Sequence, residues 1–209
     1  MRNALLILGA AAIGLSCSEQ LRAASPSFTA EIESVRWADL RFSYREGCPV
    51  GPAQLRALRV SYWGFDGRAH TGSIVVARRL ADDVVGVFRQ LWTARFPIQQ
   101  LRPVSAYGGS DDASMVADNT SGFNCRFVGG TTRWSMHAYG EAIDVNPVEN
   151  PYVQGGRVSP PAGRAYVYRS RYRKGMALRN GPLVRAFAAI GWKWGASFGD
   201  YQHFSTTGR

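Results

Sequence analysis

The chain has 209 residues and a formal net charge of +10, from 25 Lys and Arg against 15 Asp and Glu. That length suits one domain able to bury a real core, and a 45% hydrophobic share with six tryptophans excludes a disordered chain. The basic charge favours a polyanionic partner: nucleic acid, acidic lipid or an anionic cell wall. It is spread along the chain rather than gathered into one tail, so charge alone selects none of these. No recognised nucleic-acid motif accompanies it, and nucleic acid is not the expected partner.

Residues 1–24 read as an export signal, with Arg2 at its positive start and an apolar run over residues 4–15. The run falls short of the ~20 residues of a membrane span, so the mature chain is expected to have no transmembrane segment. Ala23-Ala24 offers an ordinary cleavage point. Ser16-Cys17 offers a lipoprotein-type point with an anchor at Cys17, which Gly14 fits poorly. Either way the expected location is periplasmic or extracellular. Export then bears on the cysteines. With Cys17 removed or lipidated, Cys48 and Cys125 remain, and two thiols in an oxidising compartment pair most simply. Such a bridge would stabilise the fold by ~4 kcal/mol in the chain-entropy model. The alternative, Cys125 as a nucleophile or metal ligand, is disfavoured because no histidine lies close to it in sequence.

Residues 25–47 are expected to form an N-terminal extension, tether-like over 25–34, ahead of a single folded domain at 48–209. Residues 55–72 read as a hairpin: LRVSYWGF alternates, Phe65-Asp66-Gly67 supplies the turn, and TGSIVVA continues as the second strand. His70 lies at this hairpin without a ligand set and reads as a surface or packing histidine. The spacing of Val84, Val85, Phe88, Leu91 and Trp92 predicts a helix over 81–94, with Asp82 and Asp83 favoured by the dipole of its first turn. Residues 98–107 read as a strand and 108–124 as a long polar loop of the kind that is more often functional than idle. A short strand is expected over 142–146 and an extended surface loop over 150–173. A helix is expected over 182–190, behind Gly181-Pro182. WKWG then begins a final strand or turn towards Asp200 and His203.

The chain has only three histidines, and two of them, His137 and His203, have a carboxylate at a chemically sensible distance in sequence. Zinc takes imidazole nitrogen and carboxylate oxygen, and a catalytic site keeps three protein ligands plus water. His137, Asp144 and His203 would supply that set, while the same residues could also form ordinary hydrogen-bonded pairs. Seven positions along a straight strand would point His137 and Asp144 to opposite faces, so a turn is expected at Gly140. Ala142, Asp144 and Asn146 would then share a face. Gly199 would allow the bend that puts Asp200 near the metal without binding it. A carboxylate there suits proton transfer between the attacking water and the leaving amine. Glu141 stands four residues after His137, but Gly140 argues against a helix, and Glu141 is expected to face solvent.

The pattern Ser135-x-His137-x-x-Gly140-x-Ala142-x-Asp144, followed by Asp200-x-x-His203, resembles the zinc D-Ala-D-Ala carboxypeptidase and L-alanyl-D-glutamate endopeptidase family. DNTSGFNCR (118–126), NPY (150–152) and GWKWG (191–195) extend the likeness to roughly residues 48–204. The resemblance implies an α+β fold of the Hedgehog/DD-peptidase type, with a small antiparallel sheet carrying the metal and helices packed on one side. It implies zinc held by His137, Asp144 and His203, Asp200 as general base, and a peptidoglycan stem peptide as substrate; the chain is expected to be a monomer. Many members carry glutamate where this chain has Asp200. The family's substrate-holding arginine would be Arg126, with Arg102 as rival, and Ser135 would hydrogen-bond within the site. The competing class is a non-catalytic zinc module of the same fold that binds wall or protein. The second carboxylate, Asp200, favours an enzyme.

Overall fold

Sheet formation begins earlier in the chain than the composition suggests. In a computed structural model, which describes residues 25–208, β1 (Ala30–Ser34) pairs antiparallel with β2 (Leu55–Trp63), which pairs with β3 (Ala69–Ala77). The export-signal reading and Cys17 lie outside the described residues. The tether expected over 25–34 is therefore partly an edge strand. Its sequence, AEIES, alternates apolar and charged residues, but over only five positions and with one large apolar side chain, Ile32, that is 42% exposed. The backbone ladder to β2 and the packing of Ala30 on the core hold it. The β2–β3 turn follows expectation, with Gly67 at φ 73° and Asp66 Oδ1 accepting from the Arg68 backbone N–H at 3.0 Å.

The short helix α1 (Trp37–Leu40) buries Leu40 in a small cluster with Leu55, Ala57, Val75 and Phe123. α2 (Ala81–Thr93) matches its expected span. It packs Val84, Val87, Phe88 and Leu91 against the apolar face of the hairpin, where Leu58, Val60, Ile74 and Val76 are fully buried.

Two expectations fail in the next segment. The strand expected over 98–107 is only β4 (Gln100–Leu101), followed by a 3-10 turn at Val104–Tyr107. Pro103 has no N–H to continue a ladder, and that ends the strand. The loop expected over 108–124 contains α3 (Asp111–Val116) and β5 (Asn119–Thr120), the latter parallel to β4. Ser110 caps α3 by accepting from Ala113 N–H at 3.1 Å, with Asp111 and Asp112 in its first turn. The helix is too short to show a hydrophobic period.

The C-terminal half supplies a second three-stranded antiparallel sheet. Its order is β6 (Ala142–Asp144), β10 (His203–Ser205), β9 (Lys193–Trp194). Residues 150–173, expected to be extended, include the hairpin β7 (Tyr152–Gln154) and β8 (Arg157–Ser159) and a 3-10 segment at Pro161–Tyr166. α4 (Pro182–Ala188) buries Leu183, Ala186 and Phe187 and packs on α2. Ile143 and Phe204, paired across β6 and β10, face the main core, where Phe204 stacks on Phe187 at a centroid distance of 4.4 Å. The molecule is thus α+β, and the small sheet has one face anchored in the core. No helix among the described residues is long and apolar enough to cross a membrane.

Candidate metal centre

His137 does not lie on a strand. It sits in the 3-10 turn Met136–Tyr139, which starts at Ser135, whose Oγ accepts from His137 N–H at 3.3 Å. The turn ends at Gly140 in the left-handed region, φ 69°, as its expected turn role requires. A Cβ there would also come within 2.6 Å of the Ala77 nitrogen, which donates to the Gly140 carbonyl at 2.8 Å. Glycine is thus needed for conformation and for space, and the turn is pinned to β3. His137 is buried, and its Nδ1 lies 2.7 Å from the Gly122 carbonyl oxygen. A carbonyl only accepts, so Nδ1 carries the proton and Nε2 keeps its lone pair for the site.

Asp144 and His203 stand directly opposite each other in the β6–β10 register. Side chains alternate across the pleat, so these two share the face opposite Ile143 and Phe204. Asp144 Oδ2 lies 3.1 Å from His137 Nε2. Asp144 Oδ1 lies 3.0 Å from His203 Nδ1, and the two histidine nitrogens are 3.3 Å apart. Ligand bonds of zinc length in a tetrahedron put donor atoms about 3.3 Å from one another. The buried trio therefore fits one ion in donor chemistry and in spacing, and could hold a metal. Asn146 does not share the face with Asp144 as expected. Its backbone turns at φ 45°, and its amide donates to Pro97 and Gly175 carbonyls at 2.8 and 3.3 Å.

The electrostatics suit a cation. Burial works against the Asp144 carboxylate, but His137 and then His203 outweigh it and hold its pKa far below the usual range. Burial opposes the charged form of His203, yet Asp144 and then Asp200 raise its pKa. Asp200 is pushed up to about 7, first by burial and then by the negative charge of Asp144, with the two histidines acting in the other direction. Its Oδ1 is buried without a hydrogen-bond partner. The expected bend at Gly199 is present, φ 80°, with its carbonyl accepting from Val153 N–H at 2.8 Å.

These groups open into a cleft of about 1060 Å³ that also takes in Asp111, Arg126, Ser135, Arg157 and Lys193. Arg126 pairs with Asp111 across the cleft at 2.8 Å, while its Nε is buried without a partner. Asp111, on α3, was missed by sequence reasoning. Its acidic pair stood in the polar loop, but spacing carried no sign that it meets Arg126. Arg102 lies elsewhere, in a separate polar cavity with Arg36 and Arg59. Glu141 is not solvent-facing as expected. Its side chain is 17% exposed, pairs with Arg79 and accepts from Thr206 Oγ1 at 3.0 Å. His70 is a surface residue, 3.0 Å from Asp66 and stacked on Tyr62. Cys48 and Cys125 are bonded, with Cα atoms 5.9 Å apart, immediately before Arg126 in the chain.

Residues 129–206 match the model of a peptidase family described as D-alanyl-D-alanine carboxypeptidase. The match covers the turn at His137, both strands that carry Asp144 and His203, and Asp200. No curated protein and no solved structure matches the chain.

Proposed function

From the likeness of residues 129–206 to the D-alanyl-D-alanine carboxypeptidase family, we propose that the chain is an exported zinc metallopeptidase that hydrolyses stem peptides of peptidoglycan. The catalytic domain takes in residues 48–209 together with β1 and α1, which pair and pack with it, and its sheets and helices follow the Hedgehog/DD-peptidase arrangement. The observation that carries the reading is the spacing of the three donors, 3.0, 3.1 and 3.3 Å, in a buried trio at the floor of an open cleft.

His137 Nε2, His203 Nδ1 and Asp144 are the ligands. Zinc bound there supplies Lewis-acid polarisation of the scissile carbonyl and lowers the pKa of water towards ~7. Asp200 takes the proton of the attacking water and delivers it to the leaving amine. A carboxyl poised near neutrality can do both. Arg126 holds the substrate and stabilises charge on the carbonyl oxygen. Ser135 positions His137 through its backbone N–H and has no base set to make it a nucleophile.

The first test is metal content of the purified mature chain. About one zinc per chain, lost in His137→Ala and in His203→Ala, is the expected result. A wild-type chain that takes up no zinc would remove the basis of the reading. Asp200→Asn is expected to keep its zinc while turnover of a peptidoglycan-derived pentapeptide falls by about 100-fold or more. Turnover undiminished in that variant would take the proton-transfer role away from Asp200.

A further inference from the structure

Residues 164–174 carry five cations, Arg164, Arg169, Arg171, Arg173 and Lys174, and no carboxylate. Three tyrosines are interleaved with them. Tyr168 is 72% exposed and Tyr172 68%. The arginines lie along the rings: Arg171 sits 6.0 Å from the Tyr168 ring and Arg173 5.1 Å from that of Tyr166.

A solvated basic loop needs no internal anchor, and this one has an elaborate anchor. Arg169 points inward while its neighbours point out. Its Nη1 donates to the carbonyls of Glu149 and Tyr166 at 2.6 and 3.2 Å. Its Nη2 donates to Asn150 Oδ1 and the Ala177 carbonyl at 2.8 and 2.6 Å. The guanidinium also lies 4.7 Å from the Tyr201 ring. Burying a guanidinium carries a desolvation cost that these contacts must offset. Asn150, itself fully buried, donates onward to the Val145 and Gly175 carbonyls, both at 3.0 Å. The loop is thereby fixed to the chain just after Asp144; Tyr166 turns inward to Glu149, while Tyr168, Tyr172 and the remaining arginines are held outward.

We propose that this strip is a docking surface for an anionic glycan polymer, with rings lying on sugar faces and arginines meeting carboxylates. Identifying that polymer with the wall rests on the peptidase reading above. A phenol ring offers both an apolar face and a hydroxyl, which suits a sugar. A strip built for lipid would carry large aliphatic or tryptophan side chains to insert, and between 164 and 174 the only aliphatic beyond alanine is Val167. Fixing the strip near the metal strand would hold the catalytic cleft against its substrate, raising its effective concentration.

The experiment is sedimentation of the intact chain with purified insoluble peptidoglycan. It compares wild type with Tyr168→Ser/Tyr172→Ser and with Arg171→Gln/Arg173→Gln, at two salt concentrations. The tyrosine variant is expected to bind about tenfold more weakly. The arginine variant should bind more weakly and lose most of its salt dependence. Both should turn over a small soluble stem peptide at the wild-type rate, because none of the four side chains lines the cleft. Wall binding unchanged in both variants overturns the proposal. So does wild-type preference for phosphatidylglycerol vesicles or for DNA over the wall. The two readings fail separately: loop-dependent wall binding without peptide hydrolysis would sink only the peptidase, and hydrolysis with loop-independent binding would sink only the docking surface.

Discussion

Asp118 and Glu149 put two carboxyl groups together inside the protein, and neither lines the cleft of the candidate metal centre. Glu149 is 6% exposed. Burial and then the neighbouring Asp118 push its pKa up from 4.5 to about 8. The folded state therefore holds a proton that the unfolded chain releases. The stability from this group is whole below about pH 4.5 and is lost as pH rises through about 8. Glu149→Gln keeps the shape and removes the titration. Relative to wild type, the variant is expected to gain about 1–3 kcal/mol between pH 5 and pH 9, read by thermal or urea unfolding at both values. A difference that stays flat with pH would show that the pair does not share its proton. The grouping of His137, Asp144 and His203, which could hold a metal, was legible because metal chemistry restricts donors to a few types and only three histidines were available. Glu141 was misread because its partners, Arg79 and Thr206, lie 62 and 65 positions away, a distance that no local pattern reports.

At the scale of elements, the position of the ligands follows from one pairing. Asp144 faces His203 where Ile143 faces Phe204, and a slip of β10 by one residue would turn His203 into the core and bring Phe204 beside Asp144. Phe204 is fully buried, stacked on Phe187 at 4.4 Å. Phe204→Ala is expected to cost about 3–5 kcal/mol of stability and to weaken zinc binding, since the strand that carries His203 loses its anchor. A variant destabilised to that extent but binding zinc with wild-type affinity would show that the register is fixed by the backbone ladder alone. Long periodic elements, α2 and the β2–β3 hairpin, were readable because each repeats its burial pattern over several turns or pleats. Elements of two to six residues, among them β4, β5 and α3, were not, because they complete no period. β1 alternates, as AEIES, but over five residues with a single large apolar side chain, which is too short a run to stand out from a polar tether.

Across the whole molecule, the two sheets are joined by the shared core of α2 and α4, and the disulfide adds a covalent tie. Cys48 and Cys125 are 77 residues apart in sequence, and the loop they close contains β2, β3, α2 and α3. Around the bridge, the Cys125 N–H donates to the Ser43 carbonyl at 2.8 Å, and Asn124 N–H donates to the His137 carbonyl at 3.1 Å. The bridge thus holds the chain entering the metal turn against the segment that leads into β2. Closing a loop of this length is worth about 4 kcal/mol. Removing the bridge by Cys48→Ser/Cys125→Ser is expected to lower the melting temperature by about 10 °C. The proposed ligands belong to strands and a turn tied to β3 and the core, so the zinc stoichiometry of the folded variant should be unchanged. Adding zinc should raise its melting temperature by as much as it raises that of wild type, because a ligand stabilises the native state by mass action whatever else holds it. If the variant instead loses its zinc while still folded, the bridge is part of the metal site's support, and the two braces act as one.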